Sequence, residues 1–85
     1  MNVTVSIFYL GKYRQITGKA EEEIEVPEMI KQAFERIIDH LKTMYGITPP
    51  FNLMVNGSHV IGAIKKGMVL KDKDIFNLIP FITGG

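Results

Sequence analysis

The sequence contains no cysteine, which excludes disulfides, thiol nucleophiles, thiolate metal sites and any carriage of sulfur on a protein thiol. Sulfur chemistry, if it occurs here, must use another atom. An excess of charge is missing as well: ten Lys and Arg stand against nine Asp and Glu, for a formal net charge of +1. Neither Lys65-Lys66 nor Lys71 with Lys73 forms a basic run, so no nucleic-acid partner is expected. Met1 leads directly into alternating sequence, without the basic and apolar regions of a signal peptide, and no apolar run approaches a membrane span. No membrane partner is expected, and the cytoplasm is the expected location. Metal-ligand clusters are also lacking. Glu21, Glu22 and Glu23 are adjacent on a strand, where side chains alternate and cannot converge on one ion, so they read as a solvated edge. His40 lies beside an apolar stripe with no second ligand four residues on, and reads as structural.

What remains is an ordinary globular composition. Eighty-five residues, 46% hydrophobic and 22% charged, correspond to one small domain spanning residues 1–85.

Residues 2–10 alternate with period two, placing Val3, Val5, Ile7 and Tyr9 on one face and Thr4, Ser6, Phe8 and Leu10 on the other. This predicts a strand whose second face ends apolar. Phe8 and Leu10 are therefore candidates either for an exposed patch or for packing under a loop. A polar connection over 11–20 leads to a second strand around Glu23–Val26. From Pro27 the period becomes helical. Ile30, Ala33, Phe34, Ile37, Leu41, Met44 and Tyr45 share one face of a helix over about 28–45, with Pro27 in its first turn and Gly46 as its left-handed cap. Phe51 to Val55 reads as a strand ending in Asn56-Gly57, a strong hairpin signal. The return through Ser58, His59, Val60 and Ile61 reads as a short strand, with a loop to follow. A charged turn, Leu70-Lys71-Asp72-Lys73-Asp74, then introduces a last strand over 75–80. Its alternation separates Phe76 and Leu78 from Ile75, Asn77 and Ile79.

The order of these segments predicts an α+β fold: a mixed sheet of four or five strands with one main helix across one face, the β-grasp or ubiquitin-like arrangement. In it the first and last strands lie parallel at the centre, matching their apolar character. The last strand runs through Pro80 and Phe81 into Ile82-Thr83-Gly84-Gly85. Glycines do not structure themselves and have no Cβ, so a Gly-Gly end suits a flexible tail over 81–85 whose backbone can enter a narrow channel. Taken alone, the pair is also what a frayed end would look like.

Three stretches together carry a family resemblance. Val55-Asn56-Gly57, then Leu70-Lys71-Asp72-x-Asp74, then Pro80-x-Ile82-Thr83-Gly84-Gly85 resemble the small subunit of molybdopterin synthase and its ubiquitin-like sulfur-carrier relatives. Phe8-Tyr9-Leu10-Gly11-Lys12-Tyr13-Arg14-Gln15-Ile16-Thr17-Gly18 resembles that family's first strand and loop. Lys73 stands where the family commonly has glycine, Phe81 replaces a frequent second proline, and Val60–Val69 is longer and less similar.

The resemblance implies a division of labour. A partner adenylating enzyme uses ATP and Mg²⁺ to convert the Gly85 carboxylate to an acyl-adenylate, and a sulfur donor replaces AMP to leave a thiocarboxylate. The tail then enters the synthase large subunit, whose groups catalyse sulfur transfer to a pterin precursor of the molybdenum or tungsten cofactor. No cofactor is expected to stay bound to this chain. Gly85 and Gly84 carry the chemistry; Pro80, Phe81, Ile82 and Thr83 thread with them. Phe8, Leu10, Met54, Ile75 and Ile79, with His59, are the expected docking patch, and Arg14 is expected to make a polar contact with the partner. Two alternatives stand beside this reading: a protein modifier joined through Gly85 to substrate lysines, and a non-covalent interaction module.

Overall fold

Val5, Ile7 and Tyr9 are fully buried, whereas Thr4 is exposed and Ser6 and Phe8 are only half-buried. The first strand thus has one face in a core and one face free. The computed structural model describes residues 1–81; the expectations for Ile82, Thr83, Gly84 and Gly85 lie outside the described residues. The elements run β1 (Asn2–Tyr9), α1 (Lys12–Thr17), β2 (Glu21–Pro27), α2 (Ile30–Tyr45), β3 (Phe51–Val55), β4 (Ser58–His59), α3 (Val60–Lys65) and β5 (Ile75–Pro80). The five strands form one mixed sheet in the order β2-β1-β5-β3-β4, with β1 and β5 parallel at its centre. This is the α+β, β-grasp architecture that the apolar periods predict.

The core follows from those periods. Ile30, Ala33, Ile37 and Leu41 of α2 meet Val5, Ile7, Tyr9, Val26, Leu53, Val55, Phe76 and Leu78 of the sheet, while Tyr13 of α1 and Val60 and Ala63 of α3 complete the same cluster. All three helices therefore pack on one face of the sheet. Truncating a fully buried aromatic such as Phe76 to Ala would cost about 3–5 kcal/mol.

The sequence motifs act as clamps on β5. Asn56 and Gly57 take φ values of 48° and 85° to turn the hairpin, as Asn-Gly favours. Asn56 also bonds Ile75 twice: its N–H donates to the Ile75 carbonyl at 2.9 Å, and its side-chain oxygen accepts from the Ile75 N–H at 3.0 Å. The charged turn secures the same end of β5. Asp72 accepts from the Thr4 N–H and Asp74 from the Lys71 N–H, both at 2.8 Å. Lys73 holds φ at 74°, so this turn keeps the left-handed geometry that favours glycine.

Several expectations are corrected. The helix starts at Ile30 rather than near 28 because the preceding backbone is engaged elsewhere: Met29 bridges Val69, and the Leu70 N–H donates to the Glu28 carbonyl at 2.7 Å. Pro27 consequently ends β2 instead of opening α2. Met44, placed on the apolar stripe, is 62% exposed, while its neighbour Tyr45 in the same turn packs against the core. The connection over 11–20 contains α1, held by the buried Tyr13. Val60 and Ile61 begin α3 rather than extend β4, since the His59 imidazole accepts the Ile61 N–H at 3.2 Å and caps that helix.

Candidate functional site: the open sheet face and the root of the C-terminal segment

The strand residues that point away from the helices form a surface with a defined pattern. The register lines up Glu21, Phe8, Asn77, Met54 and His59 in one row across all five strands. Ile75 flanks the row on one side, next to Ser6. Ile79 flanks it on the other, opposite Asn52. Leu10 follows β1 at the same end, its N–H donating to the Leu78 carbonyl at 3.1 Å. Leu10 and Ile75 are 39% and 41% exposed. Phe8, Met54 and Ile79 are half-buried, yet none belongs to the core or packs against it. An apolar surface assembled in this way is of the kind that a partner covers.

The expected patch is thus brought together, apart from His59. The strand register places His59 beside Met54, but its ring is committed to capping α3. Two asparagines, Asn77 at the centre and Asn52 beside Ile79, belong to the surface and were not singled out from the sequence. Their parity with Ile75 and Met54 was the available signal.

β5 carries the C-terminal segment out of this surface. Pro80, its last residue, pairs with Phe51 and meets the loop after β1 at Gly11, where φ is 56° and an added Cβ would lie 2.9 Å from the Pro80 Cγ. A proline is tolerated here because a strand end requires no further ladder donor. Phe81 is 49% exposed and borders a groove of about 450 Å³ that Lys12, Tyr13, Pro49 and Pro50 also line. Arg14 is exposed on the last turn of α1, away from the strand rows, with its carbonyl accepting the Gly18 N–H.

A polar cluster on the helix side replaces part of the expected solvated edge. Glu22 sits opposite Ile7 and turns inward. Its Oε1 accepts from the Tyr9 hydroxyl, from the Tyr45 hydroxyl at 2.8 Å and from His40 Nε2 at 3.0 Å, and its Oε2 meets Lys19 Nζ at 3.3 Å. Burial alone would raise the Glu22 pKa, but these four hydrogen bonds outweigh it and lower the value to about 2. Burial, followed by the bond to Glu22, pushes the Tyr9 phenol well above its usual range. This cluster ties β2 to α2. Glu21, Glu23 and Glu25, by contrast, face out on the open side with Phe8, Ser6 and Thr4.

The described residues contain no group of three or more His, Asp or Glu placed to hold a metal ion. No helix among them is long and apolar enough to cross a membrane. The site offers shape, apolar area and a strand that leads to the C-terminal segment.

Known proteins share this architecture. No curated protein sequence matches the chain significantly. Among solved structures, small archaeal modifier protein 1 from Methanosarcina acetivorans superposes with a TM-score of 0.70 at 17% identity, covering 100% of this chain and 99% of that one. A protein assigned as molybdopterin converting factor, subunit 1, from Pyrococcus furiosus has a TM-score of 0.68 at 26% identity, covering 94% and 99%. SUMO from Trypanosoma brucei has a TM-score of 0.60 at 18% identity, covering 99% and 76%. The ThiS family matches residues 7–85, nearly the whole chain and through its last residue. The chain belongs to the ThiS family of ubiquitin-like sulfur carriers.

Proposed function

We propose that this chain carries sulfur on the Gly85 carboxylate as the small subunit of a molybdopterin synthase. The observation that carries this reading is that β5 does two jobs. Its outward residues Ile75, Asn77 and Ile79 form the middle of the open face, and its end, Pro80, leads into Ile82-Thr83-Gly84-Gly85. A partner seated on the face receives the tail at a fixed offset, which lowers the ordering cost of threading it. The absence of cysteine leaves the carboxylate as the carrying atom group, and the 26% identity to the Pyrococcus protein over most of both chains supports the molybdopterin branch.

A carboxylate must be activated because oxide is a poor leaving group. A partner adenylating enzyme supplies ATP and Mg²⁺. A Gly85 oxygen attacks the α-phosphorus and pyrophosphate leaves; hydrosulfide released by the donor then attacks the acyl carbon, and AMP and a proton leave. The resulting thiocarboxylate gives its sulfur to a pterin precursor inside the large subunit, whose groups move the protons, and hydrolysis restores the carboxylate. Thr83 brings a hydroxyl able to hydrogen-bond along a channel, and Gly84 and Gly85 carry no Cβ.

The same acyl-adenylate would also react with a lysine amine to give an isopeptide-linked modifier. That second reading is supported by the likeness of this fold to small archaeal modifier protein 1 and to SUMO. The two separate experimentally. The purified chain, its host's adenylating enzyme, a sulfur donor, the synthase large subunit and precursor are expected to yield pterin dithiolene in proportion to thiocarboxylate consumed. Lysine-linked conjugates formed in the host without any dithiolene activity would replace the carrier reading with the modifier.

A further inference from the structure

The groove of about 450 Å³ beside Phe81 lies on the helix side of the sheet, between α1 and the loop that follows α2. Its size falls within the range of about 300–1,000 Å³ typical of small-ligand sites. Ile16, Pro49 and Pro50 are exposed along it and give it an apolar wall. Lys12 is the charged residue among the described residues that line it, and no Asp or Glu stands with it there. The Lys12 Nζ lies 5.5 Å from the centroid of the Tyr13 ring, and Tyr13, itself buried, lines the same groove. What fits this arrangement is a short segment with an apolar side chain at one end and an anion at the other. The chain supplies one. Ile82-Thr83-Gly84-Gly85 follows directly on Phe81, which already lines the groove. Extended, four residues reach about 13–14 Å, and the two glycines allow a reversal of direction without steric cost. A segment tethered at the groove binds as an intramolecular ligand, at the high effective concentration of a short linker.

Resting on the carrier reading, in which Gly85 bears the terminal carboxylate, we infer that residues 82–85 occupy this groove whenever no partner holds them. Ile82 packs against Ile16, Pro49 and Pro50, and the Gly85 carboxylate meets the Lys12 ammonium. The groove and the open face lie on opposite sides of the sheet, so a partner docks on the face first and then draws the tail out. An exposed ion pair contributes little, so the stored state exchanges readily and a partner needs only a small differential affinity to empty the groove. A thiocarboxylate is an anion at neutral pH, as the carboxylate is, and Lys12 therefore holds the loaded and the unloaded forms alike. The loaded end rests against the protein while the chain passes from one partner to the next.

The test is NMR on the full chain alone at pH 7, as wild type, Lys12→Gln and Lys12→Arg, with Lys31→Gln as control, a lysine exposed on α2 and outside the groove. Nuclear Overhauser contacts are expected from the Ile82 methyl groups to Ile16 or Pro49, at the same strength whatever the protein concentration. Lys12→Gln, or high salt applied to the wild type, is expected to weaken these contacts about 2-fold or more. Lys12→Arg and Lys31→Gln are expected to leave them as in wild type. An Ile82 without groove contacts, or contacts that Lys12→Gln leaves unchanged, overturns the inference and leaves the carrier reading standing, because activation by a partner does not require storage. Contacts that grow with concentration assign the groove to the tail of a second copy and also overturn it. Contacts that follow the expected pattern, in a chain whose Gly85 a competent adenylating enzyme never activates, support the inference and remove the carrier reading.

Discussion

Gly11 and Pro80 approach so closely that a Cβ on Gly11 would lie 2.9 Å from the Pro80 Cγ, and Gly11 also holds φ at 56°. The loop after β1 is thereby seated against the residue from which the C-terminal segment departs. Gly11→Ala meets two penalties, strain at positive φ and a clash with a rigid ring. It is expected to destabilise the fold by about 1–3 kcal/mol in urea unfolding. In a Pro80→Ala background the clash part disappears, so the double mutant should be less destabilised than the sum of the single changes. Strict additivity would show that the two residues do not bear on one another.

Glu22 supplies a pH dependence whose sign is fixed by its lowered pKa of about 2, against an ordinary value of 4.5. The folded state holds the ionised form, so this stabilisation is complete above about pH 4.5 and is lost as the pH falls from there toward 2. With solvent screening allowed for, it amounts to about 2 kcal/mol. Glu22→Gln is expected to lower stability at pH 7 and to flatten the unfolding free energy between pH 4.5 and 2.5. An equally steep acid limb in the variant would assign the acid sensitivity to other carboxylates.

Lys73 occupies a left-handed position, φ 74°, in the turn that ties β5 to Thr4 through a 2.8 Å bond from its N–H. Lys73→Gly removes strain from the folded state but adds freedom to the unfolded chain. The strain outweighs that loss, and a net stabilisation of about 0.5–1 kcal/mol is expected by thermal or urea unfolding. A destabilised variant would show that the lysine side chain contributes more than its backbone costs.

The open face separates binding from stability. Phe8→Ala or Ile79→Ala removes a side chain that does not pack against the core. Each should shift unfolding by only about 1 kcal/mol while weakening partner binding roughly 10- to 100-fold. Phe76→Ala provides the contrast, since Phe76 is fully buried and its truncation should cost about 3–5 kcal/mol. Unimpaired partner binding by both surface variants would move the docking site elsewhere.

These outcomes also mark what the sequence made legible. β1, α2, β3 and β5 were visible because each is long enough to repeat its period, and Asn56-Gly57 and Gly46 announced their turns by chemistry. The parity that separates Phe76 from Ile75 sufficed to assemble the face of Phe8, Met54, Ile75 and Ile79. Helices α1 and α3 were hidden by brevity, α1 burying Tyr13 alone. The β-branched Val60 and Ile61 imitated a strand until the His59 cap fixed the backbone. Glu22 looked like its neighbours because a glutamate gives no sign in sequence of three donors, Tyr9, His40 and Tyr45, arriving from distant segments. The delayed start of α2 has the same origin, a bridge from Met29 to Val69 that local propensity cannot foresee.

The most direct test of the central claim is the mass of the C-terminal fragment after the chain is incubated with ATP, Mg²⁺, its host's adenylating enzyme and a sulfur donor. Fragment resolution matters because oxidation of any of the five methionines adds nearly the same mass as exchanging oxygen for sulfur. The account predicts a gain of about 16 Da confined to Gly85, dependent on ATP and abolished when Gly85 is deleted. An unmodified Gly85, with no ATP consumed by an adenylating enzyme shown to be active on another carrier, would contradict it and leave a non-covalent binding module in its place.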